Sequence, residues 1–216
     1  MSSYRTRQLF ALSSWFDNHK EIIPAETSVS IVSTGELERV SSLKTANQVL
    51  AVAEIPLLKG ASVNFKNLIL MLDDISDPGN LGTIIRTADW FGITRIICSE
   101  GCVDVYNPKV IQATMGSVFR MEISYCNLDE VLKNVPDATP VYGALLKGSN
   151  VFTAKLVNEG IIIIGNESKG ISSSLVPFIT KKISIPSFAV SKSNSAESLN
   201  AAIATAIVLA EFRKRK

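Results

Sequence analysis

Histidine and cysteine are scarce in this chain, and their scarcity disfavours several kinds of chemistry. The 216 residues contain one histidine, His19, and three cysteines. Zinc sites are usually built from clusters of Cys and His, and Cys98 and Cys102 have no second pair or histidine near them in the sequence, so we expect no metal site. A Ser-His-Asp triad could draw only on His19, and no Gly-x-Ser-x-Gly turn is present, which disfavours a serine hydrolase.

Long hydrophobic runs are also absent. The longest runs, such as residues 161–164, have the length of a strand, whereas a membrane-spanning helix needs about 18–20 apolar residues. The first ten residues lack the apolar core and the small-residue cleavage site of a secretory signal. An odd, small number of cysteines argues against a disulfide framework. We therefore expect a cytoplasmic protein that does not associate with membranes.

The charge is balanced rather than concentrated in one sign. Lys and Arg total 22 and Asp and Glu total 20, a net charge of +2, so a nucleic-acid partner would have to bind a local basic patch. Hydrophobic residues make up 46% and charged residues 19%, which excludes a disordered chain. The length indicates one medium-sized domain, or one domain with a short appendage.

Predicted strands and helices alternate from residue 67 onwards. The apolar run 67–73 indicates a strand buried on both faces, and helical periodicity follows over 83–91, with Gly92 as a stop. Further strands are predicted at 94–98, 121–125, 140–145, 160–165 and 183–185, and further helices at 107–115, 128–134 and 198–213. This order predicts a parallel sheet covered by helices, with ligands bound at the carboxyl ends of the strands.

The first 55 residues have a mixed character. Short strands are predicted at 30–32 and 49–53, and a weakly helical region at 35–42. The stretch 55–64, which contains Pro and Gly, is predicted to be a linker. The chain is therefore predicted to consist of a short partial α/β unit with its linker, residues 1–64, and a larger α/β domain, residues 65–216.

The loop after the first strand of the larger domain contains two glycines three residues apart, in the segment 77–83. Such a loop can present backbone N–H groups to an anion at the start of a helix. Asn80 could simply cap that helix. Arg86 is the only charged residue in the stretch 81–88 and is expected to face a phosphate, a carboxylate or solvent.

The loop 165–170 has the glycine spacing of a P-loop, but Ile171 stands where the phosphate-binding Lys is required, which disfavours an ATPase. Ser172 could instead cap a following helix. The last predicted helix begins near Ser198 and Asn200, which are also good caps, and its many alanines fit a tightly packed or dimer-forming helix. The basic run at 213–216 is either a solvated helix end or a tail that contacts phosphates.

Three segments, taken in order, resemble the three motifs of the SpoU (TrmH-type) RNA ribose 2′-O-methyltransferases of the SPOUT superfamily. They are residues 77–88, residues 161–171, and residues 183–186 together with 198–200. Each segment follows a predicted strand. The resemblance extends from about residue 67 to the C-terminus.

The resemblance implies an α/β fold with a SPOUT-type parallel sheet and a C-terminal trefoil knot, one of the rare exceptions to unknotted chains. It implies an enzyme that transfers a methyl group from S-adenosyl-L-methionine, without a metal, to a ribose 2′-OH of transfer or ribosomal RNA. It also implies a homodimer that forms through the C-terminal helix. The alternative is a non-catalytic RNA-binding dimer that retains the fold, and a nucleotide-phosphate enzyme is disfavoured.

The resemblance also places the functional positions of the family on residues of this chain. The catalytic positions fall on Asn80, Arg86, Glu167, Ser198 and Asn200. The cofactor-binding positions fall on Ala144, Gly165, Asn166, Glu167, Ile185, Ser198 and Leu199. Arg86 would activate the hydroxyl, but an arginine side chain is effectively always protonated. Either an RNA phosphate accepts the proton or Arg86 stabilises the developing alkoxide.

The other catalytic positions have supporting roles in the resemblance. Asn80 would orient Arg86 or the ribose, and Glu167 would support the cofactor loop. Ser198 and Asn200 would position substrate and cofactor.

Two segments depart from the family pattern. The turn before the last motif is usually compact, whereas here it spans 187–197, which predicts a cofactor lid that is looser or ordered only with ligand. Many relatives carry a complete ribosomal-protein-like substrate-binding domain, whereas residues 1–55 match only its final part, such as 40–53. The unit at 1–64 is therefore predicted to be a truncated substrate-binding unit with a linker.

Overall fold

The computed structural model describes residues 4–41, 43, 45–56, 65–189 and 196–214. The chain divides into two compact units, Met1–Gly60 and Ala61–Lys216. Most of the predicted linker, residues 57–64, lies outside the described residues, and so does the predicted boundary at residue 64. The division at that residue therefore stays a prediction.

The first unit is a three-stranded sheet with two short α-helices. Its elements are β1 (Thr6–Ala11), α1 (Ser13–His19), β2 (Ser28–Ile31), α2 (Thr34–Val40) and β3 (Val49–Ala53). The central strand β1 runs parallel to β2 and antiparallel to β3. The sequence did not predict β1 or α1, because only Leu9 and Ala11 are buried in β1 and no residue is buried in α1. Such a short apolar pattern carries little periodicity.

The second unit is built on a six-stranded sheet. Its elements are β4 (Leu68–Leu72), α3 (Pro78–Trp90), β5 (Arg95–Cys98), α4 (Pro108–Thr114), β6 (Glu122–Tyr125), α5 (Leu128–Lys133), β7 (Val141–Asn150), β8 (Gly160–Ile164), β9 (Lys181–Ser184) and α6 (Ala201–Arg213). The strand order is β6-β5-β4-β8-β7-β9, and neighbouring strands pair in parallel. Among the described residues, no helix has the length and apolar content that crossing a membrane requires.

The centre of this sheet is the pair β4 and β8, and every residue of both strands is buried. Their continuous apolar sequences predict this burial on both faces. The register pairs Leu68 with Gly160 and Leu72 with Ile164, so the two strands end at the same level. The loops that follow β4 and β8 therefore leave the sheet side by side, which positions the site described below.

Helix α3 begins at Pro78, five residues before its predicted start at residue 83. Its N-cap is Asp77, whose Oδ1 accepts from the Asn80 N–H at 2.8 Å, so the prediction that Asn80 caps the helix is wrong. The glycines hide this first turn in the sequence, because glycine is a poor helix former. Gly82 is needed for packing, since a Cβ there would lie 2.5 Å from the Cβ of Ala113 on α4.

Candidate active site

Three loops meet beyond the carboxyl ends of β4 and β8. The Asn80 side chain, near the start of α3, donates from Nδ2 to Oε1 of Glu167. Asn200 donates from Nδ2 to Oδ1 of Asn80 at 2.8 Å, across 120 positions of sequence. Ser198 donates from Oγ to the backbone carbonyl of Glu167 at 3.4 Å. The structure thus brings four of the five predicted catalytic residues into one hydrogen-bonded network.

Asn200 has a second role in this network, because it is the N-cap of α6. Its Oδ1 accepts from the N–H groups of Ala202 at 2.9 Å and Ile203 at 3.2 Å. The carbonyl end of the amide holds the helix, and the amino end holds Asn80. An aspartate would cap the helix equally well but could not donate to Asn80, so this position needs an amide.

Arg86 lies outside the network in the single chain. It is an exposed residue of α3, on the same helix stripe as the exposed residues Thr83 and Trp90. Within the described part of the chain, its guanidinium makes no hydrogen bond or ion pair. Six residues along an α-helix correspond to about 9 Å of rise and about 120° of rotation, which separates Arg86 from Asn80. A surface guanidinium without a partner is available to a ligand or to a second molecule.

The loop that carries Glu167 is held in a single tight conformation. Asn166 and Gly170 exchange backbone hydrogen bonds at 3.0 and 2.9 Å. The Oδ1 of Asn166 accepts from the N–H groups of Ser168 and Lys169, at 2.9 and 3.0 Å. Gly165 starts the loop where the chain folds closely back on itself, because a Cβ there would lie 2.3 Å from the carbonyl carbon of Gly170.

Two acidic residues directly after β4, Asp73 and Asp74, hold the Glu167 loop in place by hydrogen bonds and an ion pair. The sequence analysis did not identify them as site residues. Asp73 is 4% exposed, and its Oδ2 accepts from the Ser172 N–H at 2.7 Å. The backbone carbonyl of Asp74 accepts from Nδ2 of Asn166 at 2.8 Å, and its side chain pairs with Lys169 at 3.3 Å. Consecutive acidic residues directly after a buried strand were the available signal.

The predicted role of Ser172 as a helix cap is wrong. Among the described residues, the helical segment that comes next after the loop is a single 3₁₀ turn, Val176–Phe178, rather than an α-helix. Ser172 instead uses its backbone N–H to bind Asp73. A polar residue after a strand fits a helix cap and a loop anchor equally well, so sequence alone could not separate the two.

Asp74 adopts a left-handed backbone conformation with φ of 58°. This region is uncommon for residues other than glycine, although Asp and Asn enter it more readily than most. In this conformation the backbone carbonyl of Asp74 accepts from Asn166. The backbone N–H of Asp74 donates to Oγ of Ser99 at 2.9 Å. Asp74 therefore connects the end of β4 to the loops after β5 and β8.

A cleft of ≈ 750 Å³ opens beside the network. It is lined by all seven of the predicted cofactor-binding residues, Ala144, Gly165, Asn166, Glu167, Ile185, Ser198 and Leu199. Small-molecule sites usually have volumes of about 300–1,000 Å³. The lining combines apolar side chains such as Leu145 with the carboxylates of Glu167 and Glu197. It can hold a ligand that has both a flat apolar part and a charged part.

The cysteines are free thiols that do not line this cleft. Cys98 and Cys102 are buried at the end of β5, and a hydrogen bond with Cys102, together with burial, raises the pKa of Cys98 well above its usual value. The hydrogen bond from Cys98 lowers the pKa of Cys102 to about 7. Within the described ranges, no group of three or more His, Cys, Asp and Glu side chains is placed to hold a metal ion.

Comparison with known proteins gives a consistent result. The family model of the SpoU rRNA methylase family matches residues 67–210. The 23S rRNA (guanosine(2553)-2′-O)-methyltransferase RlmP of Bacillus subtilis is 29% identical over 197 residues, which is 88% of this chain and 76% of that protein.

Solved structures agree over nearly the whole chain. A Porphyromonas gingivalis protein assigned to the TrmH family of RNA methyltransferases is 36% identical, with a TM-score of 0.88 over 99% of this chain and 84% of that one. The SpoU methyltransferase AviRb from Streptomyces viridochromogenes, in complex with AdoMet, is 27% identical, with a TM-score of 0.82 over 98% of this chain and 83% of that one.

Proposed function

The chain belongs to the SpoU rRNA methylase family, and from this premise we propose how its residues carry out S-adenosyl-L-methionine-dependent methylation of a ribose 2′-OH in ribosomal or transfer RNA. One observation carries the proposal. The network of Asn80, Glu167 and Asn200 lies beside a cleft, and all the residues expected to bind the cofactor line that cleft.

The cleft fits this cofactor in both size and lining. Gly165 and Ile185 stand just beyond the ends of β8 and β9, and Ala144 lies within β7 at the point where its pairing with β9 shifts register. Backbone N–H and C=O groups at these positions can bind the edges of a purine and a ribose. Leu199 supplies apolar surface at the mouth, where it is 46% exposed. When bound, the cofactor supplies an electrophilic methyl group and its own leaving group. The protein therefore has to position the reactants and manage one proton.

We assign positioning roles to the network and a charge-stabilising role to Arg86. Asn80 and Asn200 hold the starts of α3 and α6 in a fixed relation, and Glu167 links both to the cofactor loop. An arginine side chain is effectively always protonated, so Arg86 is not assigned the role of a base. Its guanidinium instead stabilises the negative charge that develops on the 2′-oxygen, and the proton of the hydroxyl passes to a neighbouring RNA phosphate.

We propose that the protein acts as a homodimer through α6. The exposed and half-buried residues of this helix form an apolar stripe, Ile203, Ala206, Ile207 and Ala210. On the neighbouring helix α3, Trp90 is 86% exposed to solvent. Large exposed apolar side chains beside small ones are typical of a surface that another molecule covers. Because Arg86 shares the stripe of Trp90, a dimer that covers this tryptophan also brings Arg86 to the interface.

The variant Ile203→Glu is expected to be monomeric at micromolar concentration, whereas the wild type is expected to be a dimer, because the substitution places a charge in the apolar stripe. Sedimentation velocity measures this. Ile22→Glu is the matched control, since Ile22 is 75% exposed in the first unit and its replacement should leave the dimer intact. A monomeric wild type, or a dimeric Ile203→Glu variant, would contradict the proposed interface.

The activity itself is tested in two steps on one sample. Calorimetry with S-adenosylhomocysteine is expected to show binding, and labelled S-adenosylmethionine with total RNA is expected to give alkali-resistant label, because a 2′-O-methyl group blocks alkaline cleavage next to it. Binding without transfer would favour the non-catalytic RNA-binding dimer. ATP binding without binding of S-adenosylhomocysteine would contradict the proposed function.

Two further properties remain proposals from family membership. They are the C-terminal trefoil knot and the cytoplasmic location. The likeness of the fold to solved SpoU and TrmH-family structures supports the knot. The proposed RNA substrate is consistent with the cytoplasmic location. Residues 190–195 of the predicted lid and residues 215–216 of the basic C-terminal run lie outside the described residues.

A further inference from the structure

A second concavity, of ≈ 520 Å³, lies along β9, the edge strand of the six-stranded sheet. Its buried lining includes Tyr142 and Ile183, and its exposed lining includes Lys155, Lys181 and Lys182. We call this concavity the lysine trough. Lys182 and Ile183 also line the cofactor cleft, so the trough and the cleft share a wall.

The positive charge of the trough is not balanced by acidic partners. Within the described part of the chain, none of the three lysines makes a hydrogen bond or an ion pair, and no Asp or Glu lines the trough. The pKa of Tyr142 is raised, first by burial and then by the charge of Glu159. A surface whose positive charges lack acidic partners attracts a polyanion.

The shape of the trough is fixed by the backbone rather than by mobile side chains. Strands β7 and β9 approach so closely at Gly148 that a Cβ there would lie 2.7 Å from the backbone carbon of Lys182. Lys181 and Lys182 extend from a strand that is paired with β7 on one side. Binding groups that stand on paired strands are held in place more firmly than groups on loops.

We propose that the RNA strand whose target ribose enters the cleft continues into the lysine trough, where Lys155, Lys181 and Lys182 bind its phosphates. The inference rests on the proposed function, because it needs the target ribose to lie at the cofactor cleft. Tyr142 is 2% exposed and cannot stack on a base, so the trough offers charge but no base-stacking surface. It therefore positions the strand without reading its sequence.

The test compares Lys155→Ala/Lys181→Ala with wild type in filter binding to labelled ribosomal RNA across about 50–200 mM KCl. Lys182 is left unchanged because it also borders the cofactor cleft. The double variant is expected to lose about tenfold in RNA affinity, and the slope of log K against log salt should fall by about 1 per lysine. Affinity for S-adenosylhomocysteine should stay unchanged, and KM for RNA should rise more than kcat falls.

Two matched variants complete the test. Lys133→Ala removes an exposed lysine of α5, which follows the opposite edge strand β6, and should bind RNA as the wild type does. Lys155→Arg/Lys181→Arg keeps the charge and should restore both the affinity and the salt slope.

The inference is overturned if the double alanine variant keeps wild-type RNA affinity and slope. It is equally overturned if the variant loses affinity for S-adenosylhomocysteine, because the lysines would then belong to the cofactor site. A wild type that binds RNA but transfers no label would overturn the proposed function alone. The RNA affinities of the variants would still decide whether the trough binds phosphates.

Discussion

Replacing Arg86 by alanine is expected to lower the rate of methyl transfer by about 10²–10³-fold, the usual effect of removing one group that stabilises a developing oxyanion. The affinity for S-adenosylhomocysteine should stay within a few-fold of wild type. This asymmetry follows from the position of Arg86, which is exposed on α3 and does not line the cofactor cleft. The Arg86 side chain has no partner among the described residues, so its loss should not disturb the fold.

Single-turnover transfer and calorimetry on the same preparations measure the two quantities. Arg86→Lys should fall between alanine and wild type, because it keeps the charge but loses the planar fork of donors. Thr83→Ala, on the same exposed stripe of α3, is the matched control and should be near wild type in both assays. A tenfold or greater loss of cofactor binding in Arg86→Ala would contradict the role assigned to this residue.

Elements buried on both faces of the sheet could be predicted from sequence alone. β4 and β8 are continuous apolar runs of strand length, and such runs are typical of parallel strands that are buried on both faces. Elements at the surface of a small unit could not be predicted as well. Strand β1 buries only two residues, and helix α1 buries none. Pairing with β2 and β3 therefore determines strand β1 more than its own hydrophobic pattern does.

The residues of the candidate site could be named from the motifs, but their contacts could not. Asn80 meets Glu167 across 87 positions because β4 and β8 are in register, and it meets Asn200 across 120 positions where α6 packs against α3. The same register places Asp73 and Asp74 under the cofactor loop. The sequence motifs indicate which residues belong to the site, whereas the contacts between their atoms depend on how the strands and helices are arranged in the fold.

Gly165→Ala is expected to cost at least about tenfold in affinity for S-adenosylhomocysteine, and about 1–3 kcal/mol in the free energy of unfolding. The new Cβ would lie 2.3 Å from the carbonyl carbon of Gly170 and 2.4 Å from the Ile171 nitrogen. These are backbone atoms, so no side-chain rotation can relieve the clash. The loop must move, and Asn166 and Glu167 must move with it.

Urea unfolding and calorimetry separate this effect from a general intolerance of glycine replacement. Gly35→Ala adds the same methyl group in α2, where nothing lies within 4 Å of the new Cβ. Its stability should be unchanged or slightly raised, because alanine loses less backbone entropy than glycine on folding, and its cofactor affinity should equal wild type. Wild-type affinity in Gly165→Ala would mean that the loop tolerates displacement. The cofactor would then be held mainly by the walls at β7 and β9 rather than by the turn that presents Glu167.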